Sequence, residues 1–188
     1  MNKNLLVVLG VIALVVVIIG GWLISGYNRV VTMDENVKTA WAQVDNQLKR
    51  RFDLIPNLVE TVKGYATHEK EIFEHLADAR TKYFQAPDVK GKIAASGDFE
   101  QALSRLLVLQ ENYPQLKANE TFLKMMDTLE GTENRLAVER KRYNDAVRTL
   151  NTYIRTVYGR FFASLAGVQK AEYYQVPEAE KAAPKVKF

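Results

Sequence analysis

Few residues in this chain are suited to chemistry. His68, Glu71 and His75 stand at i, i+3 and i+7, a spacing that places three metal-capable side chains on one helical face. A di-metal helical bundle wants a Glu from each of two helices and Glu-x-x-His from two others. No Glu-x-x-His occurs, and the chain has only 2 histidines, so a solvated charged face explains the trio and no metal is assigned. The absence of cysteine removes disulfides, thiolate ligands, a thiol nucleophile and a lipidated N-terminal cysteine. No Gly-rich phosphate loop, G-x-S-x-G, H-E-x-x-H or dinucleotide fingerprint is present. The chain is therefore expected not to be an enzyme and to hold no cofactor.

A second group of polar residues is conspicuous for its position. Glu69, Glu133 and Arg140 fall on heptad seams that are otherwise apolar. A lone buried charge costs several kcal/mol, so each needs a partner, and Arg50, Arg51 and Asp53, close to Pro56, are available to join them. One reading is a polar layer that sets helix register. The other is a groove that grips a partner's terminus or an anionic group. Trp41 suits a large core anchor beside the first seam. Asn57, just after Pro56, suits an N-cap that restarts a helix, and the break itself is a candidate recognition notch.

These residues require long helices to position them. One seam reads Val30, Met33, Val37, Ala40, Val44 and Leu48; a second runs from Leu58 through Val62, Tyr65, Glu69, Ile72, Leu76 and Ala79 to Tyr83. A third runs from Phe122 through Met126, Leu129, Glu133, Leu136, Arg140, Tyr143, Val147, Leu150 and Ile154 to Val157. Pro56 predicts a kink or break between the first two segments, and Ala86-Pro87-Asp88 an end to the second. Asp98 with Gln101 predicts a capped start for a shorter helix to Asn112, carrying Leu103, Leu106, Leu107 and Gln110. Pro114 precedes the last long helix, which Gly159 is expected to close. Gly64 and Gly131 each cost about 1 kcal/mol relative to Ala in a helix, which close approach of neighbouring helices would offset. The fold class expected is all-α, an antiparallel up-and-down bundle of about four long helices.

Ahead of the bundle, Leu5 to Ile24 carries no charge, and Val16 lies mid-run. Twenty residues at 1.5 Å rise span about 30 Å, the thickness of a hydrocarbon core. Trp22 and Tyr27 sit at its distal end, where amphipathic rings favour the headgroup layer. The run exceeds a signal peptide's apolar region, and Ile24-Ser25-Gly26 is a poor cleavage site, so a retained single-pass anchor in the bilayer is expected. Lys3 before the span and Arg29 and Lys38 after it leave orientation undecided by charge. The whole chain, 188 residues with 26 Lys+Arg against 22 Asp+Glu, has a charge mixed along its length that does not predict nucleic-acid binding. The organisation expected is an anchor over 1–27, a helical bundle over 28–175, and a tail over 176–188, rich in Lys, Glu, Ala and Pro, that composition marks as disordered.

Two blocks carry a family resemblance. The run from Arg50 to Glu69, RRFDLIPNLVETVKGYATHE, and the block from Glu130 to Asn151, EGTENRLAVERKRYNDAVRTLN, with YPQLKAN between them, resemble the LemA family of bacterial membrane-anchored proteins. The chain departs from the family pattern at Tyr158, where a proline is frequent, and at Ala166-Gly167-Val168, where an aromatic-Gly-aromatic element is frequent. The resemblance implies one membrane span, an antiparallel helical bundle and no established catalytic activity. It also implies the bacterial inner membrane, with the bundle leaning to the periplasmic or extracytoplasmic side, because some relatives carry a lipoprotein cysteine. Family members are often encoded beside a membrane zinc metalloprotease, which suggests envelope quality control. The function expected is a non-catalytic membrane-anchored scaffold or adaptor, with the lipid bilayer and a protein, such as that metalloprotease, as partners. The alternative is a self-assembling homo-oligomer that organises or shapes the membrane.

Overall fold

A computed structural model describes residues 3–65 and 69–175. The elements are α1 (Lys3–Lys63), α2 (Lys70–Gln85), α3 (Val89–Asn112), α4 (Pro114–Lys117), α5 (Glu120–Arg155) and α6 (Val157–Ala166), with no strand among the described residues. Four of the helices are long, as the heptad seams require, and two short ones complete the all-α fold.

The chain divides into two units: the part of α1 up to Ala40 with Asp145–Ala171, and Trp41–Asn144 with the residues from Glu172. In the first unit, Val30 packs with Phe162 and Ala163, and Leu23, Tyr153, Ile154, Ala166 and Val168 surround them. Gly26 lies against the Phe162 ring so closely that a β-carbon there would overlap it. The apolar start of α1 is largely uncovered by protein: Leu5, Val16 and Ile24 are exposed, and Trp22 at its distal end is partly exposed beside the Phe162 ring. A run of this length and hydropathy with no protein over it is a membrane-associating segment.

The second unit holds the larger core. Val44, Leu48, Phe52, Ile55, Leu58 and Val62 of α1 are buried, as are Phe73, Leu76, Ala79 and Tyr83 of α2 and Phe99, Leu103 and Leu106 of α3. Phe122, Leu129, Leu136 and Tyr143 of α5 complete it. Phe52 sits at its centre, with ring centroids 4.5 Å from Tyr83 and 4.6 Å from Phe99.

Several boundaries differ from the sequence-based expectation, each for a physical reason. Helix α1 continues through Pro56 and ends beyond it, at Lys63. Pro56 is exposed, while Phe52, Ile55 and Leu58 around it are buried. That burial outweighs the cost of about 3 kcal/mol for an interior proline. Asn57 is consequently a mid-helix residue, its carbonyl accepting from Thr61 Oγ1, and not an N-cap. The Leu58–Tyr83 seam spans the end of α1, where Tyr65 N donates to Val62 O in a closing turn.

Helix α3 begins nine residues before Asp98, at Val89, so Asp98 caps nothing; its carboxylate instead pairs with Lys82 at 3.1 Å. Helix α5 ends at Arg155, and Gly159 lies inside α6. Thr156 breaks the chain in an extended conformation and its side chain accepts from Gly159 N; a β-carbon on Gly159 would strike the Tyr153 carbonyl. Helix α6 closes at Gly167, whose φ of 69° suits glycine, and Val168 N donates back to Ala163 O. Val157, expected in the core, is 85% exposed. Among the described residues, nothing lies within 4 Å of a β-carbon built at the exposed Gly131, and at Gly64 only the Thr61 carbonyl of its own helix comes near, so neither marks close packing against a described helix. The tail over 176–188 lies outside the described residues.

Candidate functional site

Within the second unit, residues from α1, α3 and α5 meet in a buried charged layer. Arg51, 3% exposed, reaches the carboxylates of both Glu100 and Glu133. Arg140 faces the same two carboxylates, 3.3 Å from each. The Arg51 guanidinium also lies over the Phe99 ring at 5.6 Å, and that of Arg140 over the Tyr174 ring at 4.6 Å. Tyr174 is itself fixed by a 2.6 Å hydrogen bond between its hydroxyl and Ser96 Oγ. Burial pushes the Glu100 carboxyl above the ordinary carboxylate range despite Arg51 and Arg140, so its charge depends on both guanidiniums staying in place.

Two guanidiniums thus face two carboxylates. An incoming anion would meet Glu100 and Glu133 as well as the cations, so the charge balance suits mutual pairing better than capture of an anionic group. Each arginine leaves its Nε without an acceptor among the described groups, which is what remains when a planar fork is spent on two acids.

The expected residues divide clearly. Arg51, Glu133 and Arg140 come together. Arg50 and Asp53 are exposed on α1 and do not join them. Glu69 occupies the N-cap position of α2, half-buried, with no capping bond from its side chain, so it is not a buried seam charge. Trp41 is half-buried and packs edge-on against Tyr143 at 5.4 Å, with Tyr174 at 6.5 Å. Glu71 and His75 lie 3.4 Å apart on an exposed face; His68 lies outside the described residues, and no metal-like cluster occurs among those described.

Three features were not anticipated. Glu100, the acid shared by both arginines, lies inside the helix expected from Asp98 to Asn112, three residues before Leu103 and seven before Leu107, a spacing that continues their stripe, but it is not among the candidate residues read from the sequence. A second polar cluster gathers on Asp45, which accepts from Tyr83 at 2.6 Å and Lys92 at 2.8 Å and pairs with Lys49 at 2.6 Å. Burial works against this carboxylate, but the bonds from Lys49, Lys92 and Tyr83 outweigh it and hold its pKa down to about 2. Thirdly, asparagines on α5 hold the backbone after α6. Asn144 donates to Tyr174 O at 2.9 Å and accepts from Tyr174 N at 2.8 Å. Asn151 does the same for Ala171, at 2.9 and 3.0 Å. An Asn side chain offers one donor and one acceptor at the spacing of a peptide unit, so each mimics one rung of a β-ladder. Asn144 and Asn151 are one heptad apart, the only trace of this role in the sequence.

The LemA family model matches residues 40–188. The chain belongs to the LemA family. Among individual relatives, Magnetosome protein MamQ 2 of Paramagnetospirillum magneticum is 30% identical over 179 residues, covering 81% of this chain and 66% of that protein. Magnetosome protein MamQ of Magnetospirillum gryphiswaldense is 27% identical over 178 residues, covering 81% and 65%. Protein LemA of Metamycoplasma hominis is 19% identical over 155 residues, covering 82% of this chain and 71% of that one. The chain thus spans about two thirds of the length of the magnetosome relatives. The match begins at residue 40, beyond the apolar run, and takes in Arg51, Glu100, Glu133 and Arg140. The chain is a membrane-associated, helical member of its family.

Proposed function

We propose that this LemA-family chain is a non-catalytic, single-pass scaffold or adaptor of the bacterial inner membrane, with its helical bundle on the extracytoplasmic side. The observation that carries the reading is helix α1, which holds both an apolar run uncovered by protein and six buried core positions of the second unit. Anchoring and folding therefore share one element. The polar layer is spent on internal pairing and supports the register-setting role, which leaves the bundle surface, including exposed Arg50 and Asp53, for a protein partner. A membrane metalloprotease of envelope quality control is the partner class to which the family resemblance points.

Crosslinking in native membranes, followed by affinity purification and mass spectrometry with an anchor-deleted control, tests this. Recovery of a defined second protein, lost on combined Arg50→Ala and Asp53→Ala substitution, is the expected result. Recovery of this chain alone, in a ladder of multiples, would replace the adaptor with a self-assembling protein that organises the membrane. Exclusive labelling of the bundle by cytoplasmic reagents would overturn the orientation.

A further inference from the structure

Helix α6 displays three distinct faces. At about 100° per residue, Gly159, Phe162, Ala163 and Ala166 fall on one side, which packs into the first unit's core around Val30. Arg160 and Ser164 fall on a second, polar strip, both exposed. Tyr158, Phe161 and Leu165 share the third, 63%, 53% and 58% exposed, and Val157, 85% exposed, stands where that face borders the polar strip. A ten-residue helix that shows four large apolar side chains to the outside is not finished by its own fold. In the second unit, exposed apolar residues such as Val108, Leu123 and Val138 lie on different helices or well apart in sequence, as ordinary surface residues do.

The neighbour of this face decides what covers it. Trp22, at the distal end of the apolar run, has its ring 6.0 Å from Tyr158, 6.5 Å from Phe161 and 5.0 Å from Phe162. A tryptophan in that place sits at the headgroup layer. The contacts therefore put α6 at the same depth, and its exposed stripe is continuous with the lipid-facing surface of the span. Gly26 makes the approach possible, since any side chain there would meet Phe162. The cations stand where the headgroups would be: Arg155 just before α6 and Arg160 within it are both exposed, and Arg29 lies over Tyr153 at 5.0 Å.

We propose that α6 is a second membrane element, an amphipathic helix lying in the interface with Tyr158, Phe161 and Leu165 inserted at the boundary of headgroups and acyl chains. This rests on the reading of α1 as a membrane anchor and adds a lipid-binding surface to it. The occupant is the bilayer in which α1 sits.

The absence of cysteine allows a direct test on the full chain in vesicles of phosphatidylcholine and phosphatidylglycerol. Single substitutions Phe161→Cys, Leu165→Cys, Ser164→Cys and Val16→Cys, each labelled with an environment-sensitive fluorophore, are read against lipids carrying a nitroxide near the headgroup or deep in the chain. The expected result is shallow quenching at Phe161 and Leu165, severalfold above that at Ser164, with deep quenching at Val16. Deep quenching at Val16 with Phe161 and Leu165 no better quenched than Ser164 would overturn this proposal and leave the anchor intact. Absence of quenching at Val16 would sink the anchor and this proposal together. Inter-chain disulfides through unlabelled Leu165→Cys, with no lipid quenching there, would assign the face to a second copy instead.

Discussion

Glu100→Leu should be among the most damaging single substitutions in the second unit. It removes the acid shared by Arg51 and Arg140 and leaves both guanidiniums to Glu133, whose side chain is 39% exposed. Stranding a buried charge costs about 3–5 kcal/mol, and the leucine recovers part of that by burying apolar surface. A net loss of about 3 kcal/mol lowers the melting temperature of a chain this size by about 6–12 °C. The double variant Arg51→Leu with Glu100→Leu should regain most of the loss, because it leaves the matched pair of Arg140 and Glu133. The pH dependence carries the same signature. Because burial raises the Glu100 pKa, the folded chain holds that proton more tightly than the unfolded one. This group's contribution is thus fully present below the ordinary carboxylate range and is lost as pH rises through the raised value, a slope the variant lacks. Circular-dichroism melts of the full chain in detergent, across pH, measure all three. A single variant within about 0.5 kcal/mol of the parent would refute the buried layer, since only surface pairs are worth so little.

Three further outcomes follow from other places in the fold. Asp45 has a depressed folded pKa, so its stabilisation is present above the unfolded value near 4 and fades as pH falls towards about 2. Asp45→Asn should cost about 1 kcal/mol at neutral pH after allowing for solvent screening, and the gap between melts of the two proteins should close over that acid window. Gly131→Ala should stabilise by about 1 kcal/mol, because the added β-carbon meets nothing and the helix loses its glycine; an unchanged or lower melting temperature contradicts this. Asn144→Ala removes both hydrogen bonds to the Tyr174 backbone and should cost about 1–3 kcal/mol, with faster amide exchange at Tyr174. Protection at Tyr174 unchanged from the parent would show that Asn144 is not what holds the segment.

The heptad seams were readable because a buried helical face needs an apolar residue every three or four positions, wherever its partner lies. Val30, Val37, Val44 and Leu48 are buried as their spacing requires, and so are Leu129, Leu136, Tyr143, Val147 and Leu150. The apolar run from Leu5 to Ile24 was equally plain, since length and absence of charge suffice to match a bilayer. Arg140 and Glu133 announced a polar layer by interrupting such a seam.

Local punctuation was less reliable. A proline, an Asp with Gln three residues on, and a glycine each have a local cost or benefit of about 1–3 kcal/mol. Burial of Phe52, Ile55 and Leu58 exceeds that, and carries α1 through Pro56. The same competition makes Asp98 an interior residue of α3 and moves the last stop from Gly159 to the Thr156 break and Gly167.

Seam patterns and the anchor are properties of one helix at a time, and a single chain of letters suffices to state them. Which helices meet is not such a property. Glu100 lies 49 residues from Arg51 and 40 from Arg140, and its spacing to Leu103 and Leu107 gives the face of α3 it shares without naming what it meets there. Its role exists only because three helices bring these groups within a few ångströms, where low dielectric makes their pairing matter. The exposed apolar side chains of α6 belong to the same class: Val157 continues the α5 seam on paper, and only the turn at Thr156 and the packing of Phe162 against Gly26 turn it outward.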